Sequence, residues 1–208
     1  MLRAGGARPL EVAVDSKDQA DARPRKVLLF SGHMIDARGR KEPRFPASKE
    51  GVVADEIAGL LDSPEIAAGS SDLAICGGAC GGDLLFAEAC LARGTALEIY
   101  IGFDENTFLA DSVDFANANW RDRYFNAKSK GTLHIAPDEL GPLPSGADPY
   151  ERNNRWMLER ATRFGPTRMI FICLWNGEGG DGPGGTKHLM EEARKNSAPV
   201  HWLNIRKL

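Results

Sequence analysis

No stretch of this chain approaches the roughly 18 to 20 consecutive apolar residues of a membrane-spanning helix, and its N-terminus lacks the apolar core of a secretory signal. The chain is therefore expected to be soluble and cytoplasmic, with no membrane partner. Basic residues are not in excess: 26 Lys and Arg face 29 Asp and Glu, a formal net charge of −3. A protein that coats nucleic acid needs a basic balance to neutralise phosphates, and no continuous basic and aromatic run supplies one locally, so nucleic acid is not the expected partner. The 4 cysteines, Cys76, Cys80, Cys90 and Cys173, show neither CxxC spacing nor the density of a secreted disulfide scaffold. They read as reduced thiols that pack as small hydrophobes. Lack of local ligand spacing also argues against a metal site, although His33, Cys76, Cys80 and His188 all fall near strand ends. Neither an internal repeat nor a second domain is discernible.

What is present is a chain of 208 residues, 42% hydrophobic and 26% charged, enough for one substantial core. Residues 1–24 mix Gly, Ala, Arg, Asp and Pro and read as a poorly ordered tail, leaving 25–208 as the domain. From there strand and helix signals alternate. Val27 to Phe30, Leu73 to Cys76, Ala96 to Ile101, Thr132 to Ile135, Arg168 to Leu174 and Val200 to Ile205 read as strands, several of them apolar throughout as if buried on both faces. Helices are expected at Ala47 to Leu61, Asp83 to Ala92, one or two between Phe108 and Phe125, one from Asp148, and one at Lys187 to Asn196. Residues 137–147, rich in Pro, Gly and Ser, read as a loop. Asp148-Pro149-Tyr150-Glu151 is a helix start, with a capping carboxylate, Pro at the first position and Glu three residues on. Parallel strands joined by helical crossovers make a three-layer, doubly wound α/β sheet, mostly parallel and of about six strands. Ligands in such sheets bind beyond the carboxyl ends of the strands.

Two glycine-rich turns lie at such ends: Cys76-Gly77-Gly78-Ala79-Cys80-Gly81-Gly82-Asp83 and Gly182-Pro183-Gly184-Gly185-Thr186. Without Cβ atoms the backbone can approach a ligand closely, and the following helix presents unpaired N–H groups with a dipole suited to an anion. The first turn holds Gly77, Gly78, Gly81 and Gly82, more glycine than a plain turn needs, although close packing alone would also use it. Asp83 suits a ligand hydroxyl better than a phosphate. In the second turn Gly184, Gly185 and Thr186 are the expected contacts, against the alternative of a flexible surface loop. Asn154 falls on the stripe of Tyr150, Met157, Leu158, Ala161 and Phe164, one turn from the helix start, where its amide serves either a ligand or a strand-end backbone group. Arg152 is a further anion contact or a solvated arginine. Ser31, Gly32 and His33 leave the first strand toward the cleft, and the long segment to Pro46 carries Asp36, Arg38, Arg40, Lys41 and Arg44 as a basic flap or an exposed loop. Trp175 and Asn176 are the expected base or ribose contacts; Trp120, Tyr124 and Phe125 have the helical spacing of core residues.

Taken in order, a strand ending in Ser31-Gly32, the Gly77 to Asp83 turn, the Arg152 to Arg155 helix start and the Gly182 to Thr186 turn resemble the SLOG group. This is the superfamily of Rossmann-like domains related to the LOG phosphoribohydrolases and to DprA, and the resemblance spans about 26 to 205. It implies a nucleotide, NAD-derived or other nucleotide-like ligand at the strand ends, with no cofactor required, in a group whose members sense or process such ligands. The favoured reading is a sensor that signals through self-association as a homo-oligomer, and DprA-like nucleic-acid binding is the alternative that the acidic balance disfavours. LOG enzymes carry PGGxGTxxE. Here Lys187, His188 and Leu189 follow Gly185-Thr186 where the acidic pair should stand, so the resemblance implies holding a nucleotide more than cleaving one. Cleavage of the N-glycosidic bond would need displaced groups such as Asp36, Asp83, Glu88, Glu191 or His188. If both turns cradle phosphate, Gly78→Val or Gly185→Val abolishes ligand binding while the thermal melt stays cooperative.

Overall fold

Continuous apolar runs, whose side chains alternate between the two faces of each strand, determine the layers. The computed structural model describes residues 23–116, 119–178 and 184–208. Its strands are Val27–Gly32 (β1), Leu73–Cys76 (β2), Ala96–Ile101 (β3), Thr132–Ile135 (β4), Met169–Trp175 (β5) and Val200–Asn204 (β6). They form one sheet in the order β4-β3-β2-β1-β5-β6. Each neighbouring pair is parallel, with Val27 of β1 in register with Leu73 of β2 and Met169 of β5.

The helices are Glu50–Asp62 (α1), Gly82–Ala92 (α2), Glu105–Ser112 (α3), Trp120–Lys130 (α4), Ala136–Leu140 (α5), Pro149–Thr162 (α6) and Thr186–Lys195 (α7). Leu28 and Phe30 point into one core with Val53 and Ile57 of α1, Leu84 of α2 and Tyr124 of α4. Val27 and Leu29 point into the other with Met157 and Ala161 of α6 and Leu189 and Ala193 of α7. Each such side chain taken from water contributes about 1.5–3 kcal/mol, so a strand buried on both faces stabilises the fold twice over. The expected three-layer, doubly wound α/β domain is the observed one, with a wholly parallel sheet.

Local chemistry sets the ends. Asp148 accepts from the Glu151 N–H at 2.7 Å with Pro149 in the first turn of α6, the start expected from the sequence. Two readings need correction. The expected 137–147 loop opens with a one-turn helix, α5, because Ala136 is buried at the end of β4 and Pro137 is tolerated in a first helical turn. The Ala47 to Leu61 helix begins with a 3-10 turn, Ala47–Lys49, before α1. The expected tail lies outside the described residues up to position 22, as do Gly182 and Pro183 of the second turn. Among the described residues no helix is long and apolar enough to cross a membrane.

Strand order reverses at β1: the chain steps outward through β2, β3 and β4, then α6 returns it to β5 on the other side. The crevice at the carboxyl ends of β1 and β5 is the switch point where such sheets accept ligands. One wall is the first glycine turn, and its glycines are used differently from the expectation. A Cβ on Gly78, at φ +72°, would lie 2.6 Å from Ile99 Cγ2, and one on Gly81, at φ +94°, 2.6 Å from the Ile35 nitrogen. Both positions face packed protein. Gly78→Ala is therefore expected to cost roughly 2–4 kcal/mol of stability, from overpacking plus left-handed strain, and Gly78→Val more. A urea titration checks this; an unchanged midpoint for Gly78→Ala would contradict it.

Candidate functional site

The ends of β1, β2, β3 and β5 and the starts of α2, α6 and α7 enclose a cleft of about 410 Å³. Of the residues expected to bind ligand, Ser31, Gly32, His33, Gly77, Asp83, Asn154, Trp175, Gly184, Gly185 and Thr186 all line it. Gly78, Gly81, Gly82, Arg152 and Asn176 do not.

The wall from β1 is built by backbone pairing. His33 extends the strand by one bond to the Leu174 carbonyl at 3.0 Å, then its own carbonyl accepts from the Gly82 N–H at 3.1 Å. Met34 bridges Gly81 in antiparallel fashion. A Cβ on Gly82 would lie 3.2 to 3.3 Å from Phe30, Gly32 and the His33 carbonyl. Gly81 and Gly82 are thus glycines because another chain segment passes there, which corrects their assignment as ligand contacts. The His33 ring is fixed from the other side: Nε2 accepts from the Asn176 backbone N–H at 3.2 Å, which places the ring proton of the neutral imidazole on Nδ1. Asn176 serves the site in this way, while its side-chain Oδ1 accepts from the Glu178 N–H.

Asp83 lies in the first turn of α2 but does not cap it; Gly81 holds the cap position. Its Oδ2 accepts from the Ala79 N–H at 3.3 Å and so closes the glycine turn on itself. A Cβ on Gly77 would stand 2.8 Å from that oxygen. The residue is 8% exposed, and Oδ1 is buried without a hydrogen-bond partner among the described residues. Burial pushes its carboxyl up from 3.8 to about 7, and the backbone N–H groups of Ala79, Gly32 and Gly77 offset only part of this. Cys76 and Cys80 beside it are buried, and desolvation raises both thiols, that of Cys80 to about 12. Inert, protonated thiols result.

The opposite wall is the start of α6. Asn153, missed in the sequence, is the buried member of the Asn153-Asn154 pair at 7% exposed. The residue lines the cleft; its Nδ2 donates to the Tyr100 carbonyl at 2.8 Å, and its Oδ1 is buried without a partner among the described residues. Asn154 Nδ2 donates to the Gly184 carbonyl at 2.6 Å and so ties the second glycine turn to α6. Gly184 is pressed onto that helix, since a Cβ there would meet Tyr150 Cβ at 2.6 Å and the Glu151 nitrogen at 2.7 Å. Thr186 begins α7 and its hydroxyl lies 3.1 Å from that of Ser31, joining the second turn to β1. Trp175, at the end of β5, also lines the cleft, and its indole Nε1 is a third buried atom without a partner among the described residues. Phe30, Met34, Phe108, Tyr150 and Met157 supply apolar surface.

Other expected residues are spent elsewhere. Arg152 donates to the carbonyls of Leu140 and Gly141 at the end of α5, at 2.7 and 3.0 Å. Glu88 is engaged by Arg123, which also reaches Glu50 and lies over the Trp120 ring. Glu191 is exposed on α7. His188 lines a separate hollow of about 210 Å³ between α6 and α7, with Arg155 and Glu192. Of the proposed basic flap, only Arg44 lines the cleft. Of the catalytic candidates only Asp83 does so.

No family model matches the chain, and no curated protein does. Two solved structures are similar in fold. TM1055, a structural-genomics target, is 12% identical, with a TM-score of 0.44 over 84% of this chain and 72% of its own. DNA processing protein A (DprA) from Streptococcus pneumoniae is 15% identical, with a TM-score of 0.36 over 86% of this chain and 59% of its own.

The Asp83 carboxyl gives a test independent of any ligand. Because its folded value lies above its unfolded one, the contribution of this group to stability is full below about pH 4 and is lost as pH rises toward about 7, by at most about 4 kcal/mol. Asp83→Asn is expected to be more stable than the parent at pH 8, with the difference vanishing near pH 4. Parallel urea-denaturation profiles from pH 4 to 8 would contradict the raised value.

Proposed function

We propose that this chain binds a nucleotide or nucleotide-derived small molecule in the cleft at the β1–β5 switch point. One observation carries the reading. Five buried side-chain polar atoms among the described residues have no hydrogen-bond partner, and three of them, Asp83 Oδ1, Asn153 Oδ1 and Trp175 Nε1, belong to residues lining this cleft. Each such atom costs roughly 1–3 kcal/mol when left unmatched. Three around one cleft are what a polar ligand would repay. Asn153 Oδ1 is committed to accepting, because its amide nitrogen is used by Tyr100, and it pairs with a hydroxyl or amino donor. The indole N–H asks for an acceptor. Tyr150, Phe108 and Met157 add the apolar surface that a flat base needs, and the α7 start with Thr186 suits an anionic end. Binding needs no separate cofactor; a change of self-association on binding would make the module a sensor.

Hydrolysis of an N-glycosidic bond is a second reading, favoured by the burial of Asp83 at the cleft: a carboxyl that desolvation pushes up to about 7 is matched to protonating a leaving base. Water must be activated as well. The other lining carboxylate, Asp148, is already engaged by the Glu151 N–H, and Glu191 stands outside the cleft. Binding without turnover is the better-supported reading.

Calorimetric titration with nucleoside mono-, di- and cyclic phosphates and NAD derivatives, with chromatography for released base, tests both. Saturable binding without base release is the expected result, with sedimentation reporting any ligand-linked association. Absence of binding across the panel contradicts the proposal, while base release that Asp83→Asn removes replaces it with the second reading.

A further inference from the structure

The segment 33–46 determines how charge is presented to the cleft. After His33 and Met34 pair along the first glycine turn, Asp36 closes a neck. Its N–H donates to the Phe45 carbonyl at 2.8 Å, and its carboxylate accepts from the backbone N–H groups of Arg44 and Phe45, each at 2.9 Å. Ile35 and Phe45 on the two sides of this neck are 3% and 0% exposed, so both are anchored in the core. The excursion 37–43 is exposed; within it Arg40 approaches Asp36 at 3.5 Å and bonds the Glu42 carbonyl. Of Arg38, Arg40, Lys41 and Arg44, only Arg44 emerges from the neck onto the cleft lining. Two carboxyl groups, Asp83 and Asp148, share that lining. A negatively charged ligand is admitted beside them only if a cation is held in a fixed place.

We propose that Asp36 is a positioning residue that holds Arg44 as the contact for a phosphate monoester on the ligand of this cleft, an inference that rests on the nucleotide-binding reading. The carboxylate works through the main chain. By accepting from two successive N–H groups it fixes the backbone from which the Arg44 side chain leaves the neck, and a guanidinium carried at the cleft forms charge-assisted bonds to phosphate oxygens. Arg40 stands 3.5 Å from the Asp36 carboxylate and belongs with the neck, whereas Arg38 and Lys41 lie off the cleft lining and are dispensable.

Calorimetry with adenosine monophosphate and adenosine separates this role from simple support of the fold. The unaltered chain binds the monophosphate more tightly than the nucleoside. Arg44→Gln and Asp36→Ala each weaken the monophosphate about tenfold while leaving adenosine within about twofold. Asp36→Asn, which keeps one acceptor oxygen, falls between, and the double change of Arg38 and Lys41 to Gln leaves both affinities unaltered. Equal losses for both probes in Asp36→Ala, or none for either, overturn the proposal. If the alanine variant does not fold, an unchanged affinity ratio in Asp36→Asn does so. Equal affinity of the unaltered chain for the two probes overturns this inference alone; binding of neither overturns the nucleotide-binding reading and the inference with it.

Discussion

The cleft depends on the backbone leaving β1 passing in direct contact with the first glycine turn. Ile35 donates to the Cys80 carbonyl and Gly82 to the His33 carbonyl, and the Gly81 position has no room for a side chain because the Ile35 nitrogen would stand 2.6 Å from its Cβ. This contact does three things. It extends the sheet edge one residue past β1, brings His33 into line with β5, and shuts water away from Asp83. The carboxyl then sits in a medium that disfavours its charge, and its unusual proton affinity follows from the packing of glycines around it.

The second wall follows from the start of α6. Asp148 fixes where that helix begins, and Gly102 lets it approach the end of β3, where a Cβ would lie 2.9 Å from the Pro149 carbonyl. Asn153 and Asn154 then use their amide nitrogens on two different backbone carbonyls, Tyr100 and Gly184. One holds the helix to the sheet and the other holds the second turn to the helix. Ser31 and Thr186 complete the circuit back to β1. The residues around the cleft are thus positioned by contacts to neighbouring segments, while Asp83 Oδ1, Asn153 Oδ1 and Trp175 Nε1 have no partner among the described residues. Most buried polar atoms in a folded protein are satisfied, and exceptions grouped in one place point to function.

Continuous apolar runs and glycine punctuation made the sheet and most helices legible in the sequence, because parallel strands buried on both faces leave that mark. The one-turn α5 left none, being hidden in a Pro-rich stretch. Helical periodicity singled out Asn154 within an apolar stripe, yet Asn153 is the more deeply buried neighbour and Tyr150 is 44% exposed against Phe103. The start of α6 turns one side to β3 and the other to α7, so two adjacent asparagines both become interior contacts; period alone cannot separate them. Gly78, Gly81 and Gly82 were readable as special, but whether a glycine faces a ligand or a neighbouring segment depends on tertiary approach. Arg44, Ser112 and Gly102 reach the cleft for the same non-local reason. The Asn-Asn pair just after a capped helix start was the one local signal that pointed to Asn153.

Asp83 is a buried carboxyl whose Oδ2 accepts from Ala79 and whose Oδ1 has no partner among the described residues, and on the proposed reading a ligand of the cleft changes its surroundings. Carbon-13 NMR of the Asp83 carboxyl, assigned by its loss in Asp83→Asn and followed through a pH titration with and without adenosine monophosphate, tests this most directly. The account predicts a midpoint near 7 in the free protein and a displaced one when the monophosphate is bound. A midpoint near the ordinary value of 3.8, unmoved by the monophosphate, would contradict it.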